Sequence, residues 1–188
     1  MVNEMARNTG VSVETSKHMI LDAGAVYLNY GETDERIFGA TRAGSEFAVE
    51  QTVREIEVDG LRGPTKGFRR VVEEHIRLTV NLLEMTPENV VVALVGASSA
   101  SDATEVTVTR SLAIADIEYL TNIALVADYS GSGDPVVIIL YNAIADGNFM
   151  LSASDREEAT TTLQFTGHFD PNGNLDASPF EIRFPVLV

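Results

Sequence analysis

Between Ser45 and Val58 apolar and polar residues alternate. Phe47, Val49 and Val53 fall on one side, Glu46, Glu50 and Arg54 on the other, the period of two that a half-buried strand requires. The phase then flips, because Ile56 and Val58 are apolar at even positions. A second run sets Val72, Ile76, Leu78, Val80 and Leu82 against Glu73, His75, Arg77, Thr79 and Asn81. Together the runs predict a long hairpin in which Phe47 faces Leu82, Val49 faces Val80 and Val53 faces Ile76. A one-residue bulge near Arg54-Glu55 restores both faces and brings Val58 opposite Val72. The tip, residues 59–71, contains GLRGPTKGFRR, whose three glycines and Pro64 exclude regular structure.

The same pattern divides the rest of the chain. Residues 1–20 are polar and aperiodic and read as an N-terminal arm, ordered only where a partner or its own domain holds it. Residues 21–188 read as a single domain. Ala25–Gly31 is a short strand, and Gly39 and Gly44 interrupt the stretch after it. A helix is expected over about 87–95: Thr86 caps, Pro87 suits the first turn, and Glu88 complements the positive helix end. Val90, Val91, Leu94 and Val95 form its apolar stripe, and Gly96 stops it. After a polar linker, Ala97–Ala103, strands are expected in TEVTVTRS, Ile117–Asp128, Val136–Tyr141, Asn148–Ser152, Thr160–Phe169 and Phe180–Val188. The turns SGSGDP, ADG and DPNGN separate them. The expected fold is mainly β, a β-sandwich or small barrel with one helix and a protruding hairpin.

Composition narrows the function classes. The 188 residues are 45% apolar and 22% charged, the balance of a folded chain. Thirteen cations stand against 28 carboxylates, and a net charge of -15 argues against nonspecific grip on nucleic acid. The absence of cysteine removes disulfides, thiolate zinc sites and cysteine nucleophiles. The first residues contain no apolar leader core, and runs such as Val90–Val95 are too short to span a bilayer. A protein that remains where it is made, or joins an assembly there, is expected. Within this acidic chain four cations gather at the hairpin tip: Arg62, Lys66, Arg69 and Arg70, with Phe68 among them. The tip is either a solvated loop or a docking element for carboxylates on another copy. Docking is favoured, because a projecting hairpin leaves apolar residues uncovered.

Candidate chemistry is sparse. Gly96-Ala97-Ser98-Ser99-Ala100 resembles a loosened nucleophile elbow with Ser98 at its turn. An elbow needs a strand before it and a helix after it, and here the order is reversed. Asp170, Asn172, Asn174, Asp176 and Glu181 fit the spacing of a calcium loop, but Leu175 stands where glycine is needed, and Asp-Pro-Asn-Gly is an ordinary turn. His18, His75 and His168 have no metal-binding spacing. Asp155, Glu157 and Glu158 read as a solvated charge run. No glycine-rich phosphate loop is present, and neither an enzyme nor a cofactor is expected.

Three stretches carry a resemblance: GATRAGSEFAVEQTVREIEVDGLRGPTKG, the TPENVVVAL helix, and PVVIILYNAIADGNFMLSASDREEATTTLQFTGHFDP. They resemble a bacteriophage tail tube protein, the major tail subunit of long-tailed phages, across most of Ala25–Val188. The resemblance implies a structural virion protein whose copies close hexameric rings by joining their sheets into an inner β-barrel. The rings stack into a hollow tube through which DNA is ejected without specific binding. It implies a tape-measure protein, a tail terminator and baseplate or tail-tip proteins as partners, no membrane, and assembly in the host bacterial cytoplasm. Arg62, Lys66, Phe68, Arg69 and Arg70 become inter-subunit or inter-ring contacts. DNA carries one negative charge per roughly 1.7 Å, so an acidic bore keeps it sliding; Glu46, Glu50, Glu118 and Asp128 are the expected lumen carboxylates. Alternatives are a tube subunit of a contractile injection or type VI-like machine, a non-catalytic β-barrel binding module, with or without calcium, and a hydrolase using Ser98.

Overall fold

The computed structural model describes residues 10–187; the first nine residues of the expected arm and Val188 lie outside the described residues. Eleven strands and one helix follow in order: β1 (Ile20–Leu28), β2 (Arg36–Ile37), β3 (Thr41–Glu55), β4 (Arg69–Leu82), α1 (Pro87–Ala93), β5 (Ala97–Ser101), β6 (Val106–Arg110), β7 (Leu120–Tyr129), β8 (Val136–Ala145), β9 (Ser152–Ser154), β10 (Glu157–Gly167) and β11 (Phe180–Arg183). The fold is mainly β, and every strand pair is antiparallel. The main sheet runs β2-β1-β7-β8-β10-β4-β3, with β11 beside β8 and β9 beside β10. β5 and β6 form a separate ribbon.

One short stretch curls this sheet around its core. Ile37 of β2 lies opposite Tyr27, and the Phe38 N–H donates to the Val26 carbonyl at 2.8 Å. The chain then crosses to the far edge, where the Leu83 N–H donates to the Ala40 carbonyl at 2.8 Å and Thr41 faces Leu82. Residues 36–41 thus join the first strand of the order to the last. Inside lie Val26, Leu28, Ile76, Leu78, Val80, Leu82, Ile123, Leu140 and Leu163, all buried. Phe38, at the joint, meets Phe165 edge to face at 5.6 Å. Removing such side chains from water supplies about 1.5–3 kcal/mol each, which drives the curl.

The β3–β4 hairpin forms in a different register from the expected one. Phe47 faces Leu78 and Val49 faces Ile76, four residues from the expected partners. A shift of an even number keeps every side chain on its face, so the apolar pattern fits both registers equally. Backbone geometry decides between them. Ala43 and Gly44 have φ of 65° and 80°, and between Thr41 and Ser45 the pairing slips, which places extra residues on β3. The expected bulge occurs nearer the sheet and on the other strand. Thr52 faces Glu73 and Val53 faces Val71, leaving Val72 as the extra residue. Val58 lies in the tip and does not meet Val72.

Other expectations shift at their ends. The helix stops at Ala93, because Leu94 is already extended, and Gly96 follows with φ of 76°. Thr86 caps it by accepting the Asn89 N–H at 3.2 Å. Its buried face is Asn89 and Ala93 with Val92 packed beside them, in place of the expected stripe. Asn89 is buried because its amide is fully used. It donates to the carbonyls of Phe38 at 2.7 Å and Glu84 at 3.0 Å, and accepts from Arg36 at 2.8 Å. The expected linker Ala97–Ala103 is largely strand β5, paired with β6 from Ala97–Arg110 to Ser101–Val106. The described end of the arm is held by its own domain. Met19 and Ser130 exchange hydrogen bonds at 3.0 Å, His18 Nδ1 lies 2.9 Å from the Tyr129 hydroxyl, and β1 begins at Ile20.

Candidate functional site

The hairpin projects beyond the strand that pairs with it. β10 covers β4 only from Arg77 to Leu82. Beyond Arg77, β3 and β4 are paired with each other alone, as far as Glu55 opposite Arg69. Among the described residues β4 is the only strand paired with β3, so β3 keeps a free edge over Ser45–Glu55. Apolar side chains along the overhang face solvent: Val53 is 45% exposed, and Val71 and Val72 are each 56% exposed.

At the tip the Ile56 N–H donates to the Phe68 carbonyl at 2.8 Å and the Phe68 N–H to the Thr65 carbonyl at 3.2 Å. Gly60 and Gly67, with φ of 94° and 90°, let the chain turn there. Arg62, Lys66, Arg69 and Arg70 are all exposed, and Phe68 is half-buried. Among the described residues none of these cations is paired with a carboxylate. Arg54 stands directly opposite Arg70, a like-charge cross-strand pair that costs stability.

Along the overhang lies a groove that sequence reading missed. Val71, Val72, Glu73 and Glu74 of β4 line it with Phe169, Leu175 and Asp176. The Ser178 hydroxyl donates to Glu74, and Gln51 donates to the same carboxylate at 3.3 Å. The two sides are a hundred residues apart in sequence, and no local pattern signals that they meet. A second exposed apolar region surrounds the ribbon and the loop after it, where Leu112 and Ile117 are about nine-tenths exposed and Met150 and Leu151 lie open nearby in sequence to β9.

The expected lumen carboxylates do not form one set. Glu46 and Glu50 are exposed on the outer face of β3, and Glu50 pairs with Arg77 at 2.8 Å. Asp128 is exposed on β7. Glu118 is set apart: it lies in a 3₁₀ turn, half-buried, and accepts the Gly96 N–H at 2.6 Å. Its carboxylate supports the backbone between α1 and β5.

The remaining candidates are engaged locally. Ser98 is exposed on β5, 3.5 Å from the Thr109 hydroxyl across the ribbon, with helix α1 before it and strand β6 after it. In the 170–181 segment the side chains turn onto their own backbone. Asp170 accepts the Asn172 N–H at 2.8 Å and Asn174 accepts the Asp176 N–H at 3.0 Å. Glu181 faces away, taking Arg183 at 2.9 Å and the Tyr141 hydroxyl at 2.9 Å. The Arg183 bond first, and then the Tyr141 bond, hold its carboxyl below the usual range. Burial, reinforced by Glu181, pushes the Tyr141 hydroxyl up. Among the described residues no group of three His, Asp or Glu is placed to hold a metal ion. His168 Nδ1 approaches the carbonyls of Thr166 at 3.0 Å and Asn142 at 3.2 Å, so it carries the proton. His75 pairs with Glu73 at 3.1 Å. Asp155, Glu157 and Glu158 are exposed at the β9–β10 turn, where Glu158 takes Arg42 at 3.1 Å.

Comparison with known proteins finds no family model that matches the chain and no curated protein that matches it.

Proposed function

We propose that this chain is a structural subunit that assembles with copies of itself, as a phage tail tube protein does, into stacked hexameric rings around a bore that passes DNA. The observation that carries the reading is the free edge of β3 over Ser45–Glu55, continued into an overhang with exposed valines. A long unpaired edge is a template for another strand, and natural proteins that keep one either protect it or use it. Here Val53, Val71 and Val72 add uncovered apolar surface beside the edge. Identical copies joined head to tail make rings when the rotation closes and filaments when it does not. Glu46 and Glu50, exposed on that strand, are then placed to line an acidic bore, and the subunit acts with no catalytic step and no cofactor. A tube subunit of a contractile injection or type VI-like machine rests on the same features.

Negative-stain microscopy of concentrated protein tests the proposal. Rings or tubes of uniform diameter are expected. A second reading, a non-catalytic β-barrel binding module, is favoured by the curl of the sheet around its own core. Scattering that stays monomeric at every concentration would select it.

A further inference from the structure

Among the chain's asparagines, Asn172 alone is followed by glycine. The pair sits in the loop between β10 and β11, and both residues are exposed. The Gly173 N–H donates to the Asp170 carbonyl at 3.0 Å, which closes a turn over Pro171 and Asn172. The Asn172 N–H donates to the Asp170 carboxylate at 2.8 Å. Among the described residues the Asn172 carboxamide itself has no hydrogen-bond partner. Its neighbours differ. The Asn174 carboxamide accepts the Asp176 N–H at 3.0 Å, and the bulkier Leu175 follows it. Asp59–Gly60 and Asp146–Gly147 offer carboxylates, which resist nucleophilic attack where an amide does not, and Asp146 is further engaged by the Thr166 hydroxyl at 2.7 Å.

We infer that Asn172–Gly173 is a self-modification site, where the chain deamidates at a rate held down by the Asp170 turn. Glycine has no side chain to keep its nitrogen away from the neighbouring carboxamide. The Gly173 nitrogen gives its proton to solvent base and attacks Asn172 Cγ. The new C–N bond closes a cyclic imide, and Nδ2 leaves as ammonia with a proton from water. Water then adds to either imide carbonyl. Breaking the bond to Cγ leaves aspartate; breaking the bond to the backbone carbonyl carbon leaves isoaspartate, in which the main chain runs through the former side chain. The sum is asparagine and water giving acid and ammonia, with no oxidant or cofactor. The Gly173 bond ties up the nucleophile and must open first, so the folded chain reacts about tenfold more slowly than the unfolded one. Either product adds a carboxylate to a loop that already carries Asp170 and Asp176 and that lines the groove beside Val71–Glu74. Isoaspartate also lengthens the main chain there, so the bonds to Asp170 no longer fit. The reaction needs no second copy and stands apart from assembly.

Ageing the purified full chain at neutral pH tests the site. Trypsin cuts after Arg156 and Arg183 and releases a single peptide that contains both Asn172 and Asn174. Fragment-ion mass spectrometry is expected to place the amide-to-acid conversion at Asn172 and not at Asn174, and isoaspartyl methyltransferase to label the same peptide. The urea-unfolded chain should convert about tenfold faster. Asp170→Ala, which removes the acceptor of the Asn172 N–H, should quicken the folded chain several-fold, and Asn172→Gln should abolish conversion while leaving circular dichroism unchanged. The inference is overturned by a folded chain whose Asn172 stays intact over a period many times that in which the unfolded chain converts. Conversion first at another asparagine, or no acceleration in Asp170→Ala, also overturns it.

Discussion

Asn89 shows how a single polar residue fixes the closure of the sheet. Its amide ties α1 to the carbonyl of Phe38, the residue at the joint between β2 and β3, and to Arg36 of β2. A buried group that loses its partner costs about 1–3 kcal/mol. Asn89→Leu strands two carbonyls and a guanidinium at once, and is expected to lower stability in urea unfolding by about 2–3 kcal/mol. A change within a few tenths would mean that the joint does not depend on this side chain. Asp102 plays a smaller part at the β5–β6 turn. It accepts the Thr104 N–H at 2.7 Å and the Glu105 N–H at 2.9 Å, and the Thr104 N–H chiefly holds its carboxyl below the usual value. A depressed folded pKa stabilises the turn above the unfolded value, near about 3.9, and that support is lost as the pH falls through the folded value. Amides of Ser101–Glu105 are therefore expected to lose exchange protection on acidification in the native chain. In Asp102→Asn the same amides should show little pH dependence.

At the scale of elements, the hairpin was legible because alternation over more than ten residues in each arm has no competing explanation. Its register was not, because an even slip leaves every apolar residue on its face. The left-handed Ala43 is the kind of position that sequence does not announce. Of the ribbon, β6 was legible in TEVTVTRS, but its partner β5 was not, for a related reason. Ala97–Ser101 is polar and exposed on nearly every position, so it lacks an apolar period even though it pairs fully with β6. The helix was recognised from its cap, but its buried face was not, since Asn89 is buried by hydrogen bonds and not by hydrophobicity. Of the candidate site, the tip cations were legible as a cluster, whereas the groove beside Val71–Glu74 arises only from folding. Two expectations follow for the overhang. Val53→Thr with Val71→Thr should leave the monomer's melting temperature nearly unchanged, because both side chains are exposed and threonine keeps the β-branched shape without adding charge, while weakening pelletable assemblies. Replacing Arg62, Lys66, Arg69 and Arg70 together with Ser should leave circular dichroism unchanged and weaken tube growth. Unfolding would make the loop structural, and undiminished growth would make it merely exposed.

At the scale of the whole molecule, the curled sheet and the free edge divide the labour. The core lies inside β1, β7, β8, β10 and β4, while β3 beyond Ser45 keeps one side unpaired among the described residues. Assembly through this edge makes a direct demand on the backbone. In the free subunit the alternate amides of Ser45–Glu55 that do not bond to β4 face solvent; in an assembly they must bond to another copy. Hydrogen–deuterium exchange across β3, compared between dilute monomer and assembled protein, reads this most directly. If β3 pairs with another copy, these amides exchange quickly in the monomer and become strongly protected on assembly. Exchange at Ser45–Glu55 that is equally fast in both states would contradict it.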